Sequence, residues 1–259
     1  MSFVDHLEEL RWHIFRALGA IIIIAILTFV FSRVIFDNIL FGPRSEDFLT
    51  YKFFCNISNA LGLGNGMCLK PANFELQNIQ MAGQFLTDLK VSIILGFIIS
   101  FPYVFWEMWR FIKPGLLANE QQVTRGLVFY SSFLFLTGVL FGYFVLAPFS
   151  INFFANYQVS SQVTNIIALD SYVSIISTVV LAAGIMFELP MVVYSLSRIG
   201  IVTPKGMRQY RKHSFVAILI ISAIITPADI WTQLLVTVPV YFLYEFSILV
   251  SAKVQPQKV

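Results

Sequence analysis

The sequence predicts an all-α membrane protein with six transmembrane helices and both termini on the cytoplasmic side. Three observations lead there: a composition too apolar for water, six apolar runs separated by polar or turn-forming segments, and basic residues gathered in alternate connections. Of the 259 residues, 58% are hydrophobic and 12% charged, and mean hydropathy is +0.78. Soluble domains carry about 25% charged residues, so folding in water would leave large apolar surfaces uncovered. A bilayer is the solvent that suits this composition. The net charge of +3 is too small to point to nucleic acid.

A helix needs about 20 apolar residues to cross a hydrocarbon core about 30 Å thick. Apolar runs fall at residues 14–36, 85–105, 126–148, 172–196, 215–225 and 230–250, within one membrane domain covering 1–259. The first run is too long for a signal-peptide core and has no A-x-A cleavage site after it, so it is expected to be retained. The fifth run rises only about 16 Å at about 1.5 Å per residue. Thr226-Pro227-Ala228-Asp229 follows it as a turn, since proline stops a helix and aspartate favours turns. Spans five and six therefore form a short hairpin. The first outer loop, 37–84, is the one large segment outside the bilayer.

Orientation follows from lysine and arginine, which collect on the cytoplasmic side. Arg11 and Arg16 precede span one, and Arg110, Lys113 and Arg125 lie between spans two and three. Arg198, Lys205, Arg208, Arg211 and Lys212 lie between spans four and five, and Lys253 and Lys258 are in the tail. The remaining basic residues lie in or beside the first outer loop, and the other two outer connections have none. That loop also holds Cys55 and Cys68, the only cysteines. A location outside the cytoplasm permits oxidation, so a Cys55–Cys68 disulfide is expected. No internal repeat is visible, so the inverted repeat of many secondary transporters is absent.

Three acidic residues are candidate functional groups. The segment from Ser2 to Arg11 starts with a capping pair, Ser2 and Asp5, and Phe3, Leu7, Leu10 and Ile14 form an apolar stripe. It predicts an amphipathic helix at the inner surface before span one. His6, Glu9, His13 and Arg16 share another face, and spacing alone makes Glu9 and His13 an ordinary solvated i,i+4 pair. Glu120 follows Pro114-Gly115 and Asn119, and by itself it complements the dipole of the next helix. Glu188 differs, because it stands inside span four in Gly184-Ile185-Met186-Phe187-Glu188-Leu189-Pro190. A carboxylate within hydrocarbon is costly and points to a polar cavity or a partner. Gly138 and Gly142 make a GxxxG, a weak sign of close helix packing. His6, His13 and His213 are not in H-E-x-x-H, and G-x-S-x-G, Walker A and G-x-G-x-x-G motifs are missing. Nothing supports catalysis, a cofactor or a metal.

Taken together, these segments resemble the TatC family, the signal-peptide receptor subunits of the twin-arginine protein translocase. The resemblance rests on His6-Leu7-Glu8-Glu9-Leu10-Arg11, Phe101-Pro102 and Trp109-Arg110-Phe111-Ile112-Lys113-Pro114-Gly115-Leu116 with Glu120. Phe187-Glu188-Leu189-Pro190 and Thr226-Pro227-Ala228-Asp229 complete it, in the family's order and places. The first outer loop departs from the pattern in its length and its cysteines. The resemblance implies a cupped six-helix arrangement with short helices five and six. It implies that Glu9 and Glu120 bind the paired arginines of signal peptides on folded cargo, and that Glu188 is a polar site within the concave face. It further implies small single-span TatA/TatB-type partners, self-association in the complex, a bacterial inner-membrane location and export powered by the protonmotive force.

Another class of function competes with this one, a proton-coupled secondary transporter using Glu188. A transporter needs several polar groups at the midplane, whereas a receptor for cytoplasmic peptides needs carboxylates at the inner rim, where Glu9 and Glu120 are expected.

Overall fold

The computed structural model describes residues 3–60, 62, 68, 74–112, 124–160, 162–163, 165–226 and 230–254. Helices dominate. α1 (Phe3–Val30) is followed by a short α2 (Ser32–Ile35) and a π-helical turn, Phe36–Leu40. α3 (Leu49–Ala60) lies in the first loop, and β1 (Leu76–Gln77) leads into α4 (Gly83–Ile112). α5 (Thr124–Phe141) runs through a second π-helical turn, Gly142–Leu146, into α6 (Ala147–Asn156). β2 (Ile167–Ala168) precedes α7 (Leu169–Phe187), α8 (Leu189–Arg198) and α9 (Pro204–Gln209). α10 (Arg211–Ile225) and α11 (Ile230–Val254) complete the chain. Among the described residues, five helical stretches are long and apolar enough to cross a membrane: Glu8–Val30, Gly83–Ile112, Gly126–Asn156, Leu169–Arg198 and Thr232–Val254. α10, with 15 residues, is the short one.

Two elements differ from the sequence expectation. The amphipathic segment before span one is not a separate surface helix, because α1 continues unbroken from Phe3 to Val30. Residues 8–18 contain neither proline nor glycine, so nothing interrupts the backbone ladder. Span four is not one rod either. Pro190 cannot donate to the ladder, and α7 ends at Phe187 before α8 begins at Leu189.

Packing is close where side chains are small, as expected when lipid tails compete with apolar side chains and close approach does the work. α1 lies antiparallel against α4. Thr28 Oγ1 donates to Ser92 O at 3.1 Å, and a Cβ on Gly96 would sit 2.9 Å from Ile21 O. α5 meets α7 through the GxxxG: a Cβ on Gly138 would lie 2.6 Å from Ala183 O, and one on Gly142 2.8 Å from Val180 Cα. α8 meets α11 through Ser197 Oγ and Ser251 Oγ, 2.8 Å apart. The core gathers around Phe135, Leu146, Val173 and Val179, all fully buried.

On the side of the first loop, β1 and β2 pair in parallel, with Leu76 opposite Ile167. Cys55 and Cys68 are joined by a disulfide. Tyr172 OH donates to Leu40 O at 2.8 Å, and Arg44 Nη2 donates to Phe74 O at 2.6 Å. The loop thus packs onto the helix ends, and burial pushes the Tyr51 hydroxyl up to about 12. The opposite end of the bundle, where α1 starts and α4 finishes, is called the terminal side below.

Candidate functional site

Near the terminal side, a buried carboxylate joins α1 to α4. His13 Nδ1 donates to Glu107 Oε2 at 2.5 Å, and Arg16 Nη1 reaches the same oxygen at 3.5 Å. Tyr103 OH, one turn back along α4, donates to Oε1 at 3.2 Å. Glu107 is 1% exposed and His13 7%, so this is an interior contact. Burying a carboxylate is expensive unless it is paired and hydrogen-bonded, and here an imidazole, a guanidinium and a hydroxyl surround it. The His13 ring also packs near Phe111, with centroids 6.1 Å apart.

This contact settles where Glu9 stands. Residues four apart share a helix face, so half-buried Glu9 lies one turn from His13 towards the terminal side. The antiparallel register set by Thr28–Ser92 and His13–Glu107 puts Glu9 level with Phe111, at the end of α4. The reading of Glu9 and His13 as a solvated pair is thereby corrected for His13, which turns inward to Glu107. Exposed Glu8 takes Arg11 instead, at 3.3 Å. Glu120 lies outside the described residues.

Glu188 occupies the break between α7 and α8. Its carbonyl oxygen accepts from Met191 N at 2.9 Å and Val192 N at 3.0 Å, which starts α8. Ser131 Oγ on α5 donates to Glu188 Oε2 at 2.7 Å, a partner that span four alone could not reveal. Glu188 Oε1 has no hydrogen-bond partner among the described residues, and neither does buried Trp109 Nε1. Both side chains line one largely apolar cavity of about 450 Å³ between α4, α5, α7 and α8. Phe101, Phe105, Met191 and Leu196 contribute to its wall, and Arg198 stands among its lining residues. One wall is fixed by Phe101 and Phe135, whose rings stack 3.7 Å apart. An unused acceptor and an unused donor in an apolar groove can receive a helix that carries a polar group.

Sequence reasoning missed Glu107. The signal was there: α4 continues to Ile112, seven residues beyond the assigned span, which makes Glu107 an interior helical residue rather than part of a connection. The sequence also could not pair it with His13, because that contact depends on how α1 lies on α4.

Comparison with known proteins now bears on this arrangement. A sequence model described as "Sec-independent protein translocase protein (TatC)" matches residues 5–239. The chain belongs to the TatC family. A TatC protein of Blattabacterium sp. subsp. Periplaneta americana (strain BPLAN) is 41% identical over 259 residues, covering 100% of this chain and 97% of that protein. TatC of Helicobacter pylori (strain ATCC 700392 / 26695) is 34% identical, covering 97% of this chain and 87% of its own length. The crystal structure titled Twin Arginine Translocase Receptor-TatC in DDM superposes with a TM-score of 0.74 at 30% identity, over 95% of this chain and 99% of that one. The all-helical membrane fold and the translocase family therefore stand together. As a TatC, the chain is a non-enzymatic membrane component of a protein translocase.

Proposed function

We propose that this TatC is the receptor and core subunit that binds twin-arginine signal peptides and passes folded cargo across a bacterial inner membrane. All six apolar runs cross the bilayer, with both termini and the terminal side of the bundle in the cytoplasm. Glu9 and Glu120 hold the two guanidinium groups, because each carboxylate matches the planar fork of an arginine in a way a lysine ammonium does not. The apolar groove under Glu188 receives the hydrophobic part of the signal peptide or the single span of a small TatA/TatB-type subunit. Several copies assemble with such subunits, and the protonmotive force drives export.

The observation that carries the reading is the position of Glu9. The His13–Glu107 contact holds it level with Phe111, next to the end of α4, from which the segment bearing Glu120 departs. A groove lined by Glu188 and Trp109 opens between the same α4 and α8. The test is binding of a signal peptide to the detergent-solubilised chain. A peptide with consecutive arginines is expected to bind, and its twin with lysines to bind markedly less. Equal binding of the two would end the proposal.

A further inference from the structure

A second cavity, on the loop side and apart from Glu9 and Glu188, has a composition that singles out one kind of ligand. We propose that it binds the phosphate–ammonium head group of a membrane aminophospholipid such as phosphatidylethanolamine. The cavity measures about 460 Å³, and its lining includes Arg33, Asp37 and Asp88 together with Asn78, Gln84 and Phe85.

Its depth is that of a head group. Thr28 and Ser92 share a level through their hydrogen bond, and Arg33 and Asp88 each lie about one turn further towards the loop side. Leu27, Val30 and Leu89, within the membrane-length stretches of α1 and α4, are exposed apolar residues on the bilayer side of that level. An opening at the head-group level above an apolar strip suits an amphiphile better than a soluble solute.

The charges choose among amphiphiles. Among the described residues Arg33 makes no ion pair, although Asp37 stands four positions on. In a regular α-helix those two would be neighbours. Here the chain passes from α2 straight into the π-helical turn Phe36–Leu40, with Phe41 N bonded to Phe36 O at 2.9 Å, and the two side chains stay unbridged. Turns of this kind recur at functional sites. Asp88 receives one hydrogen bond, from Ser92 Oγ at 3.4 Å. Among the described residues the cavity therefore offers one guanidinium and two carboxylates. A net anion would face both carboxylates, and a simple cation would face the guanidinium. A zwitterion places phosphate on Arg33, where a planar fork of donors suits it, and ammonium between Asp37 and Asp88. A primary ammonium supplies N–H donors to both carboxylates, which a trimethylammonium lacks.

Native mass spectrometry of the detergent-purified full chain tests this, with added phosphatidylethanolamine, phosphatidylcholine, phosphatidylglycerol and soluble phosphoethanolamine. Phosphatidylethanolamine is expected to be retained in preference to the other two lipids by roughly tenfold, equivalent to about 1.4 kcal/mol. Arg33→Gln and, separately, Asp37→Asn are expected to remove that preference; both residues are exposed, so folding is checked by an unchanged elution profile and unfolding midpoint. Arg33→Lys, which keeps the charge, is expected to restore part of it. Equal retention of all three lipids, or an unchanged preference in the folded variants, would overturn the site. Displacement of bound lipid by phosphoethanolamine alone would show a soluble phosphate ester to be the ligand and overturn the lipid assignment.

Discussion

His13 on α1 and Glu107 on α4 are 94 residues apart in the chain and 2.5 Å apart in the fold. Arg16 and Tyr103 complete the ring around the carboxylate. In an apolar bundle such a contact is a registry device: it is satisfied at one rotation and one height of α1 on α4. That rotation also decides where Glu9 points.

Breaking the contact should therefore cost stability and displace Glu9. Removing one partner of a buried pair typically costs about 3–5 kcal/mol, and Glu107→Ala is expected to fall in that range. Glu107→Gln keeps the shape and some hydrogen bonds, and should cost about 1–3 kcal/mol. The His13→Ala and Glu107→Ala costs should be less than additive, by about 0.5–3 kcal/mol for residues in contact. Unfolding midpoints of the solubilised single and double variants measure this, and strictly additive losses would show that the two side chains do not act as a pair.

Glu9→Gln and Glu120→Gln should each weaken signal-peptide binding while leaving the unfolding midpoint unchanged. An exposed ion pair is worth about 0–1 kcal/mol, and a partly desolvated charged hydrogen bond about 1.5–3 kcal/mol. Affinity is therefore expected to drop by a factor of a few up to about 100-fold. Glu8, paired with Arg11 on an exposed face, is the control, and Glu8→Gln should change binding least. Normal binding by both single variants would remove these two carboxylates from the site.

Glu188→Ala should lower export of folded cargo while leaving binding of the twin-arginine motif largely intact. The groove around Glu188 runs along α4 from Phe101 to Ile112, and Glu188 Oε1, without a hydrogen-bond partner among the described residues, stands in a lining that is mainly apolar. Glu188→Gln, which still accepts from Ser131, should be milder. A photo-crosslinker at position 188 is expected to capture a signal peptide or a small partner subunit. Crosslinks to lipid alone, with normal export in Glu188→Ala, would deny Glu188 a role in transport.

Gly138→Leu and Gly142→Val should destabilise the bundle, because any Cβ there meets the backbone of α7 at 2.6 to 2.8 Å. Overpacking of this kind typically costs about 1–3 kcal/mol. Gly19→Ala is the matched control: no atom lies within 4 Å of its Cβ position, so it should be neutral or slightly stabilising. Equal sensitivity at positions 19 and 138 would argue against close α5–α7 contact in solution.

Much of this architecture was legible in the residues. Apolar runs such as 126–148 show themselves because lipid forces about 20 consecutive apolar residues on any helix that crosses it. Glu188 stood out for the same reason, as a charge where solvation is poor. Pro190 after it carried the signal of a break that the single run 172–196 did not include. The glycines of α5 pointed to a close neighbour without naming it.

Which groups meet was decided by tertiary structure alone. His13 read as solvated because helical spacing reports which residues share a face and is silent on what that face packs against. Glu107 passed unnoticed because its cost is offset by His13, Arg16 and Tyr103, and two of these come from a helix about 90 residues earlier. Ser131 meets Glu188 through the rotation of α5 against α7 and α8. Local sequence determines where a chain must enter the membrane, since each span meets lipid by itself. It does not determine the rotation of one span against another, because that is set by contacts between residues far apart in the chain.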